Sequence, residues 1–243
     1  MRELAVDALP SPNHGERFGP IDILLLHYTG MPDDEQALAW LCNPESKVSS
    51  HYFVHADGRV LQLVGEDRRA WHAGLSLWAG ESDINSRSIG IEIANAGHPG
   101  GLPDFATPQI DALISLCRGI LARHAIPTHR VLGHSDVAPG RKTDPGERFP
   151  WAKLAAAGIG HFVEPAPIGN GRALRHGDSG DRVEALQGTL ALYGYDIDVT
   201  GDFERRTENV VAAFQQHFRQ AQDDGVADAS TLETLQRLLA ALP

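Results

Sequence analysis

The sequence predicts an α/β domain, with a mixed central sheet flanked by helices, followed by a small three-helix bundle. Up to about residue 158, short apolar runs typical of buried strands alternate with helical patterns. Residues 159–172 are rich in Pro and Gly, which prevent regular structure, and are predicted to be a linker. Beyond the linker, apolar residues recur only at helical spacing. We therefore expect a first domain over 1–158 and a second over 173–243.

Composition and charge restrict the class of protein. At 243 residues the chain is long enough for two modest domains, and its 42% hydrophobic and 22% charged residues are ordinary for a globular protein. The formal net charge of −11 argues against nucleic acid or an anionic lipid surface as a partner. The sequence has no run of 18 apolar residues to span a membrane, and its first residues lack a secretory signal pattern. We expect a cytoplasmic protein if the sequence is complete, and a periplasmic or envelope protein if an export segment was removed.

The first strands are predicted from apolar runs. After an irregular lead-in over 1–20, residues 21–27 form a run typical of a strand buried on both faces, and His27 ends it. That position favours a functional role, because ligands bind at the carboxyl ends of strands in open α/β sheets. Residues 51–54 and 59–64 predict two further strands, which are joined by an Asp-Gly turn.

Residues 88–94 predict a strand that carries a carboxylate among isoleucines. The isoleucines point to one face and Glu92 to the other. An unpaired carboxylate in such surroundings is costly, so Glu92 is a candidate functional residue. The alternative is an ion pair with an arginine such as Arg87. The remaining elements predicted for this domain are helices over 33–41, 107–124 (with Thr107 as N-cap) and 151–157, and a strand over 130–133.

Three helices are predicted in the second domain from three apolar stripes. The stripes are Val183, Leu186 and Leu190; Val210, Val211, Phe214 and Phe218; and Leu232, Leu235 and Leu239. Asp181 with Glu184, and Ser230 with Glu233, have the spacing of capping boxes at helix starts.

The loop over 133–146 combines turn-forming residues with metal-binding side chains. His134 and Asp144 stand ten positions apart, and Pro and Gly between and beside them allow the chain to turn back on itself. Zinc in catalytic sites takes three protein ligands such as His nitrogen and Asp oxygen, with a fourth position open to water. The best candidate for the third ligand is His27.

Five motifs follow one another along the first domain. They are Leu26-His27-Tyr28-Thr29, Ala70-Trp71-His72-Ala73-Gly74, Ser88-Ile-Gly-Ile-Glu92-Ile, Gly133-His134-Ser-Asp and Lys142-Thr-Asp144-Pro-Gly. Together they resemble the zinc-dependent N-acetylmuramoyl-L-alanine amidases related to bacterial anhydro-muropeptide amidases, whose fold is shared with peptidoglycan recognition proteins. The resemblance covers about residues 20–155. The second domain, with Gly180-Asp-Arg-Val183, Gly201-Asp-Phe203 and Phe214-Gln215, is similar to the three-helix peptidoglycan-binding domain found beside cell-wall hydrolases.

The resemblance implies both a reaction and the roles of five residues. The reaction is hydrolysis of the amide bond between N-acetylmuramic acid, or its 1,6-anhydro form, and the L-alanine of the stem peptide, in peptidoglycan degradation or recycling. His27, His134 and Asp144 would bind Zn²⁺. Glu92 would be the general base, and Lys142 would stabilise the oxyanion.

Several interpretations stay open at this point. Trp71, His72 and Asn85 are candidates for the groove that binds peptidoglycan fragments or anhydro-muropeptides, and the alternative for them is core packing. Ser50 stands where some phage relatives carry a tyrosine, so Glu92 should act as base alone. Competing functions are a non-catalytic peptidoglycan receptor of the same fold and a zinc peptidase that cuts within the stem. The bundle could bind glycan or serve only as a packing module.

Overall fold

The computed structural model describes residues 4–169 and 171–242. Residues 1–3 of the expected lead-in, Asn170 of the expected linker and Pro243 lie outside the described residues.

A six-stranded mixed sheet lies at the centre of the first domain, and a two-stranded sheet accompanies it. The strands are β1 (Val6–Ala8), β2 (His14–Glu16), β3 (Ile23–Tyr28), β4 (Tyr52–Val54), β5 (Val60–Gln62), β6 (Arg68–Ala70), β7 (Ser88–Ile93) and β8 (Val131–Gly133). The order across the large sheet is β1-β5-β4-β7-β3-β8, and β2 pairs with β6. In the large sheet only the β4–β5 pair is antiparallel. The carboxyl ends of β3, β7 and β8 therefore meet at one edge.

Helices cover the sheet and form the second part of the chain. They are α1 (Asp34–Leu41), α2 (Ile84–Arg87), α3 (Thr107–Arg123), α4 (His134–Val137), α5 (Trp151–Ala156), α6 (Asp181–Tyr193), α7 (Arg205–Phe218) and α8 (Ala229–Ala240). The predicted fold class, a mixed sheet with flanking helices followed by a helical bundle, is confirmed. No helix in the two described stretches is long and apolar enough to cross a membrane.

The two faces of the sheet belong to different hydrophobic clusters. Alternate residues of β3 and β7, such as Leu24 and Ile91, pack with α3 and α5. The opposite side chains of β3, Ile23 and Leu25, belong to a cluster that continues through Trp78 into α6, α7 and α8. Burial of apolar area is the main force behind each cluster. The second cluster joins the sheet to the bundle.

Short elements and helix starts are where the sequence predictions were wrong. The expected irregular lead-in contains β1 and β2, which are three residues long and form only because partners exist elsewhere: Val6 pairs with Val60, and His14 with Ala70. The proposed caps also differ by one or two residues. Ala106 rather than Thr107 is the N-cap of α3.

Neither proposed capping box forms. Helix α6 starts at Asp181 with Gly180 as its N-cap, and α8 has Asp228 as its N-cap, where its side chain accepts a hydrogen bond from the backbone N–H of Thr231. In both helices a residue earlier in the chain takes the cap position, so Asp181 and Ser230 lie inside the first turn.

Candidate active site

Three ligand atoms converge where β3, β8 and the following loop end. His27 lies near the end of β3, and His134 starts α4 directly after the neighbouring parallel strand β8. The Nδ1 atom of His27 is 3.0 Å from Nδ1 of His134 and 3.0 Å from Oδ2 of Asp144. The Nδ1 of His134 is 3.1 Å from the same carboxylate oxygen. All three side chains are buried, and together they could hold a metal ion.

Outer hydrogen bonds fix which imidazole nitrogens carry protons. The Nε2–H of His134 donates to the carbonyl oxygen of Ala73 at 2.9 Å. The Nε2–H of His27 donates to Nδ1 of His72 at 3.0 Å, and the Nε2–H of His72 donates in turn to Oγ of Ser88. Since each ring proton is used on the outside, both Nδ1 atoms are left as lone pairs facing the Asp144 carboxylate. Partners of this kind orient metal-binding histidines.

The charge states of the cluster suit a cation. Burial, together with the neighbouring His134, lowers the pKa of His27 to about 4, so His27 is neutral at pH 7. Burial by itself would raise the pKa of Asp144, but its interactions with the neighbouring His134 and His27 outweigh burial and hold that pKa well below its usual range. A neutral nitrogen of His27 and the carboxylate of Asp144 are therefore available as ligands, and the outer hydrogen bond of His134 leaves its Nδ1 free to join them.

Glu92 stands beside His27 on the neighbouring strand, because β7 and β3 are parallel with these two residues in register. Its Oε2 atom is buried and has no hydrogen-bond partner within the described part of the chain. Burial above all, and then the negative charge of Asp144, raises the pKa of Glu92 well above its usual value, while Lys142 opposes this shift. The alternative pairing with Arg87 is not formed, since Arg87 binds Asp22 and Glu81.

A pocket of about 330 Å³ opens above the cluster. Its lining includes all three candidate ligands, with Glu92 and Lys142. Acidic, basic and imidazole side chains therefore line one space that is large enough for part of a small molecule.

Two family models match the chain. That of the N-acetylmuramoyl-L-alanine amidases matches residues 17–147, and that of a putative peptidoglycan binding domain matches residues 179–235. This chain belongs to the N-acetylmuramoyl-L-alanine amidase family. The resemblance drawn from the five motifs is thereby confirmed.

Individual amidases are similar along most of this chain. The N-acetylmuramoyl-L-alanine amidase AmiD of Escherichia coli is 41% identical over 233 residues, which cover 90% of this chain and 82% of AmiD. A 1,6-anhydro-N-acetylmuramyl-L-alanine amidase, AmpD of Enterobacter cloacae, is 32% identical over 174 residues, covering 62% of this chain and 90% of AmpD.

Crystal structures of amidases extend the similarity to the fold of both parts. AmiD in complex with anhydro-N-acetylmuramic acid-L-Ala-D-γ-Glu-L-Lys has a TM-score of 0.77 at 38% identity, covering 92% of this chain and 90% of AmiD. AmpDh3 of Pseudomonas aeruginosa has a TM-score of 0.75 at 31% identity, covering 96% and 95% of the two chains.

The three residues predicted to bind substrate in this amidase occupy different places. Trp71 and His72 line the pocket. Asn85 is buried behind it, where its Oδ1 accepts hydrogen bonds from the backbone N–H groups of His72 and Ala73. Their role in substrate binding stays a prediction, and for Asn85 the contacts favour support of the pocket wall. Ser50 is fully buried and donates to the carbonyl oxygen of Tyr52.

The pocket wall also includes residues that the sequence analysis did not select. They are Tyr28, Thr29, Met31, Trp40, Val48, Arg141 and Thr143, among others. Tyr28 and Thr143 belonged to the motifs, so their positions gave a usable signal. Trp40 gave no sequence signal for the pocket, because the helical pattern of α1 does not distinguish a half-exposed aromatic residue at a pocket from one on the open surface.

Proposed function

We propose that this amidase uses zinc to hydrolyse the amide bond between the lactyl group of N-acetylmuramic acid, or its 1,6-anhydro form, and the L-alanine of the stem peptide. The observation that carries the proposal is the triangle of two imidazole nitrogens and one carboxylate oxygen, 3.0–3.1 Å apart, with Glu92 beside it. We assign residues 1–158 to the reaction, 159–172 to a linker and 173–243 to the second domain.

The donor set fits zinc in kind and in size. Zinc lies about 2.0–2.1 Å from His nitrogen and Asp oxygen, and a tetrahedral arrangement then puts ligand atoms about 3.3 Å apart. The ligand atoms of His27, His134 and Asp144 lie a few tenths of an ångström closer than that. Zinc bound there would polarise the amide carbonyl and lower the pKa of the attacking water.

Glu92 moves the protons of the reaction. In its deprotonated form, Glu92 takes a proton from the attacking water while the new C–O bond forms at the amide carbon. It then returns the proton to the alanine nitrogen as the C–N bond breaks, so the amine leaves neutral. A pKa raised by burial suits both steps, because a more basic carboxylate accepts the proton better and its acid form lasts long enough to donate it.

Lys142 supplies positive charge at the pocket. Lys142 is part of the pocket lining, two residues before Asp144 in the sequence. Negative charge that develops on the carbonyl oxygen in the transition state is offset by a cation held nearby. The receptor hypothesis loses support because a protein that only binds needs no such set of reactive groups.

Anhydro-muramoyl peptides are the substrates that we propose to test first. AmiD was crystallised with such a compound as its substrate, and AmpDh3 with an anhydromuramic pentapeptide. In this chain the pocket lining combines apolar side chains such as Trp40 and Met31 with the charged cluster. A lining of this mixed kind suits a compound that joins a sugar to a peptide.

Mass spectrometry of the products tests this function. A purified anhydro-muramoyl tripeptide is incubated with the zinc-loaded protein, and intact sacculi are treated in parallel. We expect free sugar and intact tripeptide. Fragments cut within the peptide would contradict the assignment in favour of a peptidase, and uncut substrate with zinc bound would favour a receptor. Preference for the soluble compound supports a role in recycling, whereas preference for sacculi supports a role in the envelope.

A further inference from the structure

The helical bundle is packed tightly against the first domain. Trp78, which is 1% exposed, meets the ring of Tyr195 edge-on at 4.9 Å between ring centroids. The backbone N–H of Ala79 donates to the carbonyl oxygen of Gly194 at 2.8 Å. The ring of His217 stacks on Trp151 at a centroid distance of 3.6 Å. The two parts therefore share an interface of buried side chains with defined contacts.

A buried carboxylate of the first domain, that of Asp136, lies in this interface. Asp136 is fully buried and accepts three hydrogen bonds. The backbone N–H of Gly133 donates to its Oδ2 at 2.8 Å. The other two donors come from the bundle: the hydroxyl of Tyr195 donates to Oδ1 at 2.6 Å, and Nδ1–H of His217 donates to Oδ2 at 2.7 Å. A carboxylate buried this deeply depends on such donors.

Asp136 holds the turn that carries the metal cluster. Its bond to Gly133 closes the short helix α4, in which His134 is the first residue. The next residue of the turn, Ser135, donates its backbone N–H to the carbonyl oxygen of Asp144 at 2.9 Å. The backbone positions of two of the three ligands thus depend on one turn. The side chain that closes the turn receives two of its three hydrogen bonds from the other part of the chain.

We propose that Tyr195 and His217 are positioning residues for the metal site, which they reach through Asp136. This inference rests on the proposed function of His27, His134 and Asp144 as a metal centre. It makes the bundle a part of the catalytic machinery in addition to any binding of peptidoglycan. Without a donor from the bundle, Asp136 shifts to find another partner, and the turn with His134 moves with it.

The chain offers a matched control for Tyr195. Tyr193 lies in the same aromatic cluster at the interface, but its hydroxyl bonds to Nδ1 of His161 at 2.9 Å. Tyr195→Phe and Tyr193→Phe each remove one buried hydroxyl from the interface, and only the first removes a donor to Asp136. For His217, the His217→Phe variant keeps a stacked ring but has no donor, whereas His217→Asn places an amide N–H close to the position of Nδ1–H.

The experiment uses the whole 243-residue chain. It measures zinc affinity by chelator competition, the absorption spectrum of the Co²⁺-loaded protein, the melting temperature, and kcat and KM. We expect Tyr195→Phe and His217→Phe to weaken zinc binding by roughly ten-fold, as loss of an outer partner does. Both should shift the Co²⁺ spectrum and lower kcat at nearly constant KM. Tyr193→Phe should leave affinity and spectrum unchanged, and His217→Asn should restore much of the affinity that His217→Phe loses.

Two results would overturn the inference while the proposed function stands. In the first, the wild-type protein binds zinc and turns over substrate, while Tyr195→Phe and His217→Phe have a lower melting temperature but unchanged zinc affinity and Co²⁺ spectrum. In the other, Tyr193→Phe weakens zinc binding as much as Tyr195→Phe, so that packing alone explains the effect. A wild-type chain that binds no zinc would overturn the proposed function itself, and the positioning role with it.

Discussion

Glu92 has an environment that a structural carboxylate does not tolerate. One of its oxygens is buried with no partner among the described residues, and burial raises its pKa well above the usual value. Such a carboxylate costs stability, so its retention in a pocket points to a functional role. Its neighbour in register is the candidate ligand His27. We therefore interpret Glu92 as the residue on which turnover depends most directly after the metal ligands.

The Glu92→Gln substitution keeps the shape of the side chain and removes its basicity. We expect kcat to fall by about 10²–10⁴-fold, since that is the usual contribution of a positioned general base, with KM and zinc content little changed. Steady-state kinetics and metal analysis check this. Glu66→Gln is the matched control: Glu66 bonds to Arg123 and His124, does not line the pocket, and should affect stability only. Near-normal turnover by the zinc-loaded Glu92→Gln variant would contradict general-base catalysis by Glu92.

His72 contacts the candidate ligand His27 from the side away from the other two candidate ligands. Its Nδ1 accepts the outer proton of His27 at 3.0 Å. His72→Phe removes the acceptor, so we expect zinc affinity to fall by roughly 10–100-fold. His72→Asn offers an amide oxygen near the same place and should recover part of that loss. Chelator competition measures both, and unchanged affinity in His72→Phe would contradict this role.

Sequence patterns identified the side chains at the centre of the site better than those around it. His27, His134 and Asp144 stand at strand ends and in a Pro/Gly-rich loop, where local signals exist, and the structure brings them together. His217 carried no such signal in the sequence. Its partner Asp136 lies 81 residues away, and only the packing of the bundle makes them neighbours.

At the scale of single elements, the close approach of β7 to His72 depends on a glycine. A Cβ atom built at Gly90 would lie 2.5 Å from several ring atoms of His72, a distance that real Cβ contacts do not show. The middle of β7 therefore leaves room for the imidazole that supports His27.

The Gly90→Ala substitution should push His72 away from His27. We expect a loss of about 1–3 kcal/mol in the free energy of unfolding, as for overpacked cores, together with weaker zinc binding. Gly188→Ala is the control, because Gly188 lies within α6 with nothing near its Cβ position, and there alanine should be neutral or stabilising by up to about 1 kcal/mol. Denaturant unfolding and zinc titration measure both. A Gly90→Ala protein with wild-type zinc affinity would contradict the argument.

Elements with long, regular patterns were predicted well, whereas several short ones, among them β1, β2 and α2, were missed. The isoleucine alternation over β7 and the helical spacing over α3 gave bounds within one or two residues of those observed. Strand β1 has three residues, and all of them are exposed. Its conformation therefore depends on backbone pairing with β5 and not on the burial of its own side chains. Four-residue helices such as α2 likewise depend on what packs around them.

At the scale of the whole molecule, one hydrophobic cluster runs through both parts of the chain. It contains Leu25 of the central sheet, Trp78 of the loop between β6 and α2, and Phe214 of the bundle. Two domains that share a core and a buried carboxylate network unfold together, because separation exposes the apolar area of both. The match to a peptidoglycan binding domain over 179–235 thus describes a part that is fixed to the amidase part.

Calorimetry should therefore show one unfolding transition, with calorimetric and van't Hoff enthalpies in agreement. Trp78→Ala should lower its midpoint without splitting it, at a cost of about 3–5 kcal/mol for a large buried ring. Leu192→Ala, at a side chain 74% exposed on α6, should change stability by less than about 0.5 kcal/mol. Two separate transitions, only one of which responds to zinc, would show that the parts unfold independently.

Zinc titration of the metal-free protein, with hydrolysis of an anhydro-muramoyl peptide as the readout, tests the central claim most directly. The chelated protein should be inactive, and activity should rise in proportion to added zinc until one ion is bound per chain, with no recovery in a His27→Ala variant. Full activity of the chelated protein, or equal recovery in His27→Ala, would contradict a metal centre formed by His27, His134 and Asp144.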